Sequence, residues 1–169
     1  NYLEPFAFIG ARFALGALSL LPVIWYLQRQ EITAGPGIGY LIYASCVLGT
    51  ILFAASSFQQ VGLLYTTASN AGFITGMYMV FVPIFGLMLG MATGLVTWLG
   101  CIVAATGLFM LGVNDRYEIG YGDLLQLAGA GIWAAHILAI DHFTKYAPGV
   151  QLACGQFVVC AALGAIVSM

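Results

Sequence analysis

In 169 residues the sequence places ten Asp, Glu, Lys and Arg, 6% of the chain, against 62% hydrophobic residues and a mean hydropathy of +1.02. A soluble domain of this size covers its surface with roughly 25% charged residues, so composition excludes one. The net charge of −2 comes without a basic patch and gives no footing for a nucleic-acid partner.

The distribution of charge is more telling than its sum. Between Glu31 and Asp115, residues 32–114 hold no Asp, Glu, Lys, Arg or His. One membrane span takes about 20 apolar residues, so this stretch alone has room for three spans and their turns. Backbone polar groups cannot go unpaired in lipid, which leaves helices or a closed barrel. Barrel strands alternate apolar and polar residues, and these runs do not. The expected fold is an all-α membrane protein, a multi-pass bundle of about six transmembrane helices in a lipid bilayer.

In chain order, the first helix is predicted over 5–27, with Pro5 in its first turn, and it ends at Gln28-Arg29-Gln30-Glu31. The Gly35-Pro36-Gly37 turn leads to a second helix over 39–64. A third runs from Ser69 or Asn70, either a fitting N-cap, to Gly90. Met91-Ala92-Thr93 makes a short turn into a fourth helix over 94–113. A polar loop spans 114–122. The fifth helix runs over 123–146, with Asp123 as an acidic N-cap, and Pro148-Gly149 breaks the chain after it. The sixth covers 150–169.

Small residues recur at four-residue spacing, at Gly72/Gly76, Gly86/Gly90, Gly90/Gly94, Ala130/Ala134 and Ala161/Ala165, a pattern that permits close helix approach. Cys46, Cys101, Cys154 and Cys160 sit singly in apolar runs and read as small packing residues. An ungapped offset of 144 residues sets Tyr2 against Tyr146, Phe8 against Leu152, Arg12 against Gln156, Phe13 against Phe157 and Ala17 against Ala161. That offset spans five helices, and an odd number inverts the second copy in the membrane. Inverted repeats are a hallmark of secondary transporters. The sixth helix is then the expected counterpart of the first. Arg29 and Lys145 make one side the more basic and the expected cytoplasmic one; Arg116 lies opposite, among Glu4, Asp115, Glu118 and Asp123.

No GxSxG, HExxH or P-loop is present, and His136 and His142 do not share a helix face. No enzyme activity, catalytic residue, metal or cofactor is therefore expected. Four features carry the functional reading. Arg12 lies about 10 Å into the first helix, either snorkelling to the interface or serving an anion or coupling site. Pro83 removes the hydrogen bond to the Met79 carbonyl and should kink the third helix. Asn70, Ala71, Thr75, Tyr78 and Val82 would then share one face of it, a cavity wall or a packing face. Trp133 and His136 stand one turn apart near the membrane centre. His136 is either a neutral histidine bonded to a carbonyl or a cavity-lining group that binds solute or proton. Gln59 and Gln60 close the second helix, facing a solute or a neighbouring helix end.

The stretch from Gln59-Gln60-Val61-Gly62 through Ser69-Asn70-Ala71-Gly72-Phe73-Ile74-Thr75-Gly76 to Val82-Pro83 resembles the third-to-fourth helix region of the drug/metabolite transporter superfamily, EamA type. Pro5 through Arg12-Phe13 resembles the start of that family's second helix, and Gly122-Asp123-Leu124-Leu125 with Trp133-Ala134 the opening of its sixth. The resemblance implies ten helices in two inverted five-helix repeats. This chain would hold helices two to seven, with residues 1–113 the last four of the first repeat and 114–169 the first two of the second. The family's first helix and last three are expected to lie outside this sequence. By position the solute-binding candidates are Gln60, Asn70, Thr75, Tyr78, Trp133 and His136, with Arg12 and His136 as possible coupling groups. The implied function is secondary transport, chiefly export, of a small organic metabolite or drug-like solute across a bacterial inner (plasma) membrane. Protons are a possible partner, acting at His136. The alternative is a non-transporting scaffold or sensor built on the same bundle.

Overall fold

The computed structural model describes residues 4–29, 37–112 and 120–169. Among them the chain forms α1 (Pro5–Gln28), α2 (Ile38–Gly62), α3 (Ala68–Gly76), α4 (Tyr78–Met88), α5 (Leu95–Gly112), α6 (Tyr121–Thr144) and α7 (Gly149–Val167). Five stretches are long and apolar enough to cross a membrane: α1, α2, α3 with α4 as one, α6 and α7; α5 is apolar over the shorter run Leu95–Gly107. The chain is a multi-pass helical membrane protein, as its composition required. Of the predicted Gly35-Pro36-Gly37 turn only Gly37 lies among the described residues, and positions 114–119 of the predicted polar loop lie outside them.

The helix ends explain the boundaries. Pro5 opens α1, where its missing N–H costs nothing. Arg29 closes that helix with its guanidinium 3.7 Å over the Trp25 ring. α2 stops at Gly62, two residues before its predicted end. The N-cap of α3 is Thr67, whose hydroxyl accepts the Asn70 N–H at 3.2 Å. Ser69 and Asn70, the predicted caps, are the second and third residues of that helix, because a hydroxyl at Thr67 reaches the third N–H of the turn. Asp123 is likewise not a cap but the third residue of α6, and its carboxylate turns back to accept the Gly120 N–H at 2.9 Å. This is the reciprocal half of a capping box, with Asp in place of Glu.

The third span is two helices, interrupted at Met77. There the ladder tightens to three-residue bonds, Met77 N–H to Ile74 O and Val80 N–H to Met77 O. α4 runs on through Pro83. The Met79 carbonyl that Pro83 cannot serve accepts the Cys101 thiol of α5 at 3.4 Å. Cys101 is therefore a hydrogen-bond donor as well as a packing residue. α4 ends in a glycine cap: Met91 N–H bonds Gly86 O, Gly90 N–H bonds Leu87 O, and Gly90 takes φ +78°. Only glycine enters that left-handed conformation without strain.

The chain divides into two compact units, one of Asn1–Phe53 with Ala139–Met169, the other Ala54–Leu138. In the first, α1 and α7 pack antiparallel. Gly10 meets Gly164 backbone to backbone, so that a Cβ on Gly164 would stand 2.8 Å from Gly10 N. Further along α1, the Phe13 and Phe157 rings lie 5.4 Å apart, and the Cys154 thiol reaches Ala17 O at 3.8 Å. Ala44, Leu48, Phe143, Ala147 and Leu152 form the apolar core of this unit.

In the second unit, the end of α2 and the start of α6 run antiparallel in close contact. A Cβ on Gly122 would stand 2.6 Å from the Tyr65 carbonyl carbon and 2.8 Å from Gly62 O. One on Gly129 would meet Phe58 Cβ at 3.3 Å. Ala130 and Ala134 are fully buried, in keeping with their predicted packing role. Gly72, Gly90 and Gly94, predicted for the same role, have nothing within 4 Å of where a Cβ would be.

Candidate functional site

The polar side chains of the second unit gather along one face of α6. Asp123, Gln126, Gly129, Trp133 and His136 follow each other at three- and four-residue steps, which places them on one side of a helix. Asp123 and Gln126 are buried, at 8% and 1% exposure, and so is His136, at 3%.

Each of the first two is matched to a partner distant in sequence. The Thr66 hydroxyl, in the turn after α2, donates to Asp123 Oδ1, while Gly120 N–H holds Oδ2. A carboxylate at the start of a helix also sits favourably against the helix dipole. One turn on, Gln126 Nε2 donates to the backbone carbonyl of Gln59 at 2.9 Å, and Oε1 accepts the Thr75 hydroxyl at 3.1 Å. One amide thereby joins α2, α3 and α6. Gly62 makes room for it, since a Cβ there would stand 3.0 Å from Gln126 Nε2. In a medium without water, a bonded amide is the condition for burying it at all.

Trp133 and His136 lie about 10 Å further along α6. Their rings meet edge to face, 5.7 Å between centroids at 79°. The Trp133 Nε1–H is buried and has no hydrogen-bond partner among the described residues. An unpaired indole donor at depth is costly, and a ligand acceptor would relieve it.

The solute candidates are thus distributed along the unit rather than gathered at one point. Thr75 meets α6 at Gln126, a level below Trp133 and His136. Asn70 lies in the first turn of α3, where its N–H serves the Thr67 cap. Tyr78 opens α4 just past the tightened turn at Met77, and Asn70 and Thr75 lie before it on α3. Gln60 and Tyr78 are half-buried. Arg12 belongs to the other unit; its guanidinium lies 4.8 Å over the Phe13 ring and 5.6 Å over Phe8. Asp141, also there, pairs on the surface with Lys145 at 2.8 Å. Among the described residues no three His, Cys, Asp or Glu come together as metal ligands would.

Sequence reading missed Gln126, Thr66 and Cys101. Gln126 had a visible signal, a lone amide in an apolar run one turn after Asp123. Thr66 and Cys101 had none, because what distinguishes them is a partner far away in sequence.

Residues 1–113 match the EamA-like transporter family. One relative, a protein of Archaeoglobus fulgidus named "uncharacterized transporter", is 32% identical over 166 residues, 91% of this chain and 46% of its own length. Another from the same organism, with the same name, is 28% identical over 152 residues, 85% of this chain and 50% of its own. The chain spans about half the length of these curated relatives. No solved structure matches it. By sequence the chain belongs to the EamA-like transporter family.

Proposed function

We propose that the protein is a secondary transporter, an exporter, that moves a small organic solute across the plasma membrane by alternating access. The observation that carries this reading is the tightening of a span-length apolar helix to three-residue bonds at Met77, six residues before Pro83. A short stretch of three-residue bonds inside a helix often marks a functional hinge, and interrupted helices mark transporter binding sites. Asn70 and Thr75 lie on one side of that turn and Tyr78 on the other. The unpaired Trp133 donor beside His136 supplies a group for a solute acceptor, and His136 is the group through which protons would couple. The Arg12 guanidinium would attract or hold an anion.

We further read the spans as helices two to seven of a ten-helix fold, with residues 1–113 closing one five-helix repeat and 114–169 opening an inverted second. Contacts between α1 and α7 support this. Under the 144-residue offset, Phe13 and Phe157 are equivalent, and they touch each other. Ala17 with Cys154 has as its equivalent Gly10 with Ala161, and that pair is also close, a Cβ on Gly10 lying 3.5 Å from Ala161 O. Such paired contacts are what a two-fold axis between the two helices produces. The extent of the family match and the greater length of the relatives agree with it.

The test is solute flux into or out of proteoliposomes holding the intact protein, with a panel of amino acids, metabolites and drug-like compounds under proton and solute gradients. Uptake or counterflow of at least one class is expected, reduced by Trp133→Ala. Absence of any flux or counterflow across the panel overturns the reading.

A further inference from the structure

α3 is a nine-residue arm fastened to α6 at both ends. Just before its start, Thr66 donates to Asp123; near its far end, Thr75 donates to Gln126. Past Thr75 the helical ladder tightens to three-residue bonds at Met77, and beyond that turn α4 is tied to α5 through the Cys101 thiol on Met79 O. Along its length the arm packs on α5, with Phe73 edge-on to Phe109 at 6.5 Å between centroids. Where the arm begins, the chain is tightly packed. Gly122 presses on the Tyr65 and Gly62 backbone, and the Tyr65 and Tyr121 rings close edge to face at 5.5 Å.

When the fastenings break, Asp123 keeps the Gly120 N–H and Gln126 keeps the Gln59 carbonyl, at the cost of leaving Gln126 Oε1 without its Thr75 donor. Asp123 also keeps the helix dipole, and its place at the start of α6 lets water take the oxygen that Thr66 vacates. Thr75 can turn its hydroxyl to the carbonyl four residues back, at Ala71, as helical threonines do. Thr50, Thr106 and Thr144 make that bond here. Apart from that Gln126 oxygen, breaking the fastenings strands no group entirely, and that separates a reversible catch from a permanent tie.

We propose that the Thr66–Asp123 and Thr75–Gln126 pairs are the latch of a gate: made, they shut the solute path at the end marked by Tyr65 and Tyr121, and broken, they free α3 to swing about Met77 and open it. This rests on the transport reading above.

Two measurements on the intact protein with Cys46→Ser test it. First, Ala71→Cys puts a thiol on the buried side of the arm, where Ala71 is 6% exposed. Its labelling by a water-soluble maleimide in detergent, corrected for the parent without that thiol, is expected to be about tenfold faster in D123N and in T66V than with the latch intact. Equal rates in all three overturn the latch. Second, the pair Tyr65→Cys and Tyr121→Cys is expected to oxidise to a disulfide, scored by loss of free thiol. Oxidation should cut flux in proteoliposomes by about tenfold or more, with recovery on reduction. Failure of the pair to oxidise overturns the closed state. Flux through the Tyr65→Cys/Tyr121→Cys protein that oxidation leaves unchanged overturns the gate and leaves transport standing. No flux in the wild type overturns both.

Discussion

At the scale of single residues, glycine shows what four-residue spacing conveys and what it leaves out. Spacing marks a small residue without saying which side of the helix meets a neighbour. Gly72 has a four-residue partner in Gly76, and Gly122, at the end of the predicted polar loop, has none. Only Gly122 lies against backbone, where an added methyl would stand 2.6 Å from the Tyr65 carbonyl carbon, whereas Gly72 has nothing within 4 Å. Gly122→Ala should lower stability by about 1–3 kcal/mol, the cost of overpacking a filled contact. Gly72→Ala should be neutral or stabilising by up to about 1 kcal/mol, since alanine is the better helix former. Thermal unfolding of the two variants in detergent checks both, and equal effects would mean the α2–α6 contact is not tight. Gln126 teaches the same lesson about polar residues. A lone amide in an apolar run announces that it needs partners. Thr75 and the Gln59 carbonyl lie 51 and 67 residues away in sequence, and no local pattern names them.

At the scale of elements, the spans follow from the bilayer's demand for paired backbone, and they were legible to within a few residues. The third span was legible as a length and not as a shape. Pro83 announced a carbonyl without its usual donor, and the structure supplies one from another helix. That has a measurable signature. Cys101→Ala should cost about 1 kcal/mol, and Cys101→Ser, which keeps a donor, should cost less. In a Pro83→Ala background the Met79 carbonyl regains a backbone donor, so Cys101→Ala should then cost little. The double-mutant cycle reads this coupling directly; additive effects would show that the thiol contact carries no energy. The cap residues were misplaced for a simpler reason. Thr67, Ser69 and Asn70 are all good caps, and the choice among them is made by where the preceding turn delivers the backbone.

At the scale of the whole molecule, membrane class and family could be read from composition and motif, because a hydrocarbon solvent leaves few alternatives and glycine-rich helix turns are distinctive. The candidate site was less legible. Gln60, Asn70, Thr75, Tyr78, Trp133 and His136 were chosen for residue type and depth, and depth does not say which of them touch. Thr75 is engaged by α6, Trp133 faces His136, and the tightened turn at Met77 lies between Tyr78 and the residues before it. Export, proton coupling and solute identity rest on the flux experiments set out above. The packing of α1 on α7 has a consequence of another kind. If the two helices are counterparts, their seam is self-complementary, like the contact between the halves of a symmetric dimer, although one chain supplies both sides. Phe13 and Phe157 then fill one shared space from equivalent positions. Phe13→Ala and Phe157→Ala should destabilise by similar amounts, and the double variant by clearly less than their sum, because the second truncation enlarges a void the first has already opened. Such a seam also constrains how the sequence can drift: a larger side chain at either phenylalanine is tolerated only with a smaller one at its counterpart, so the two positions should vary together although 144 residues of chain separate them.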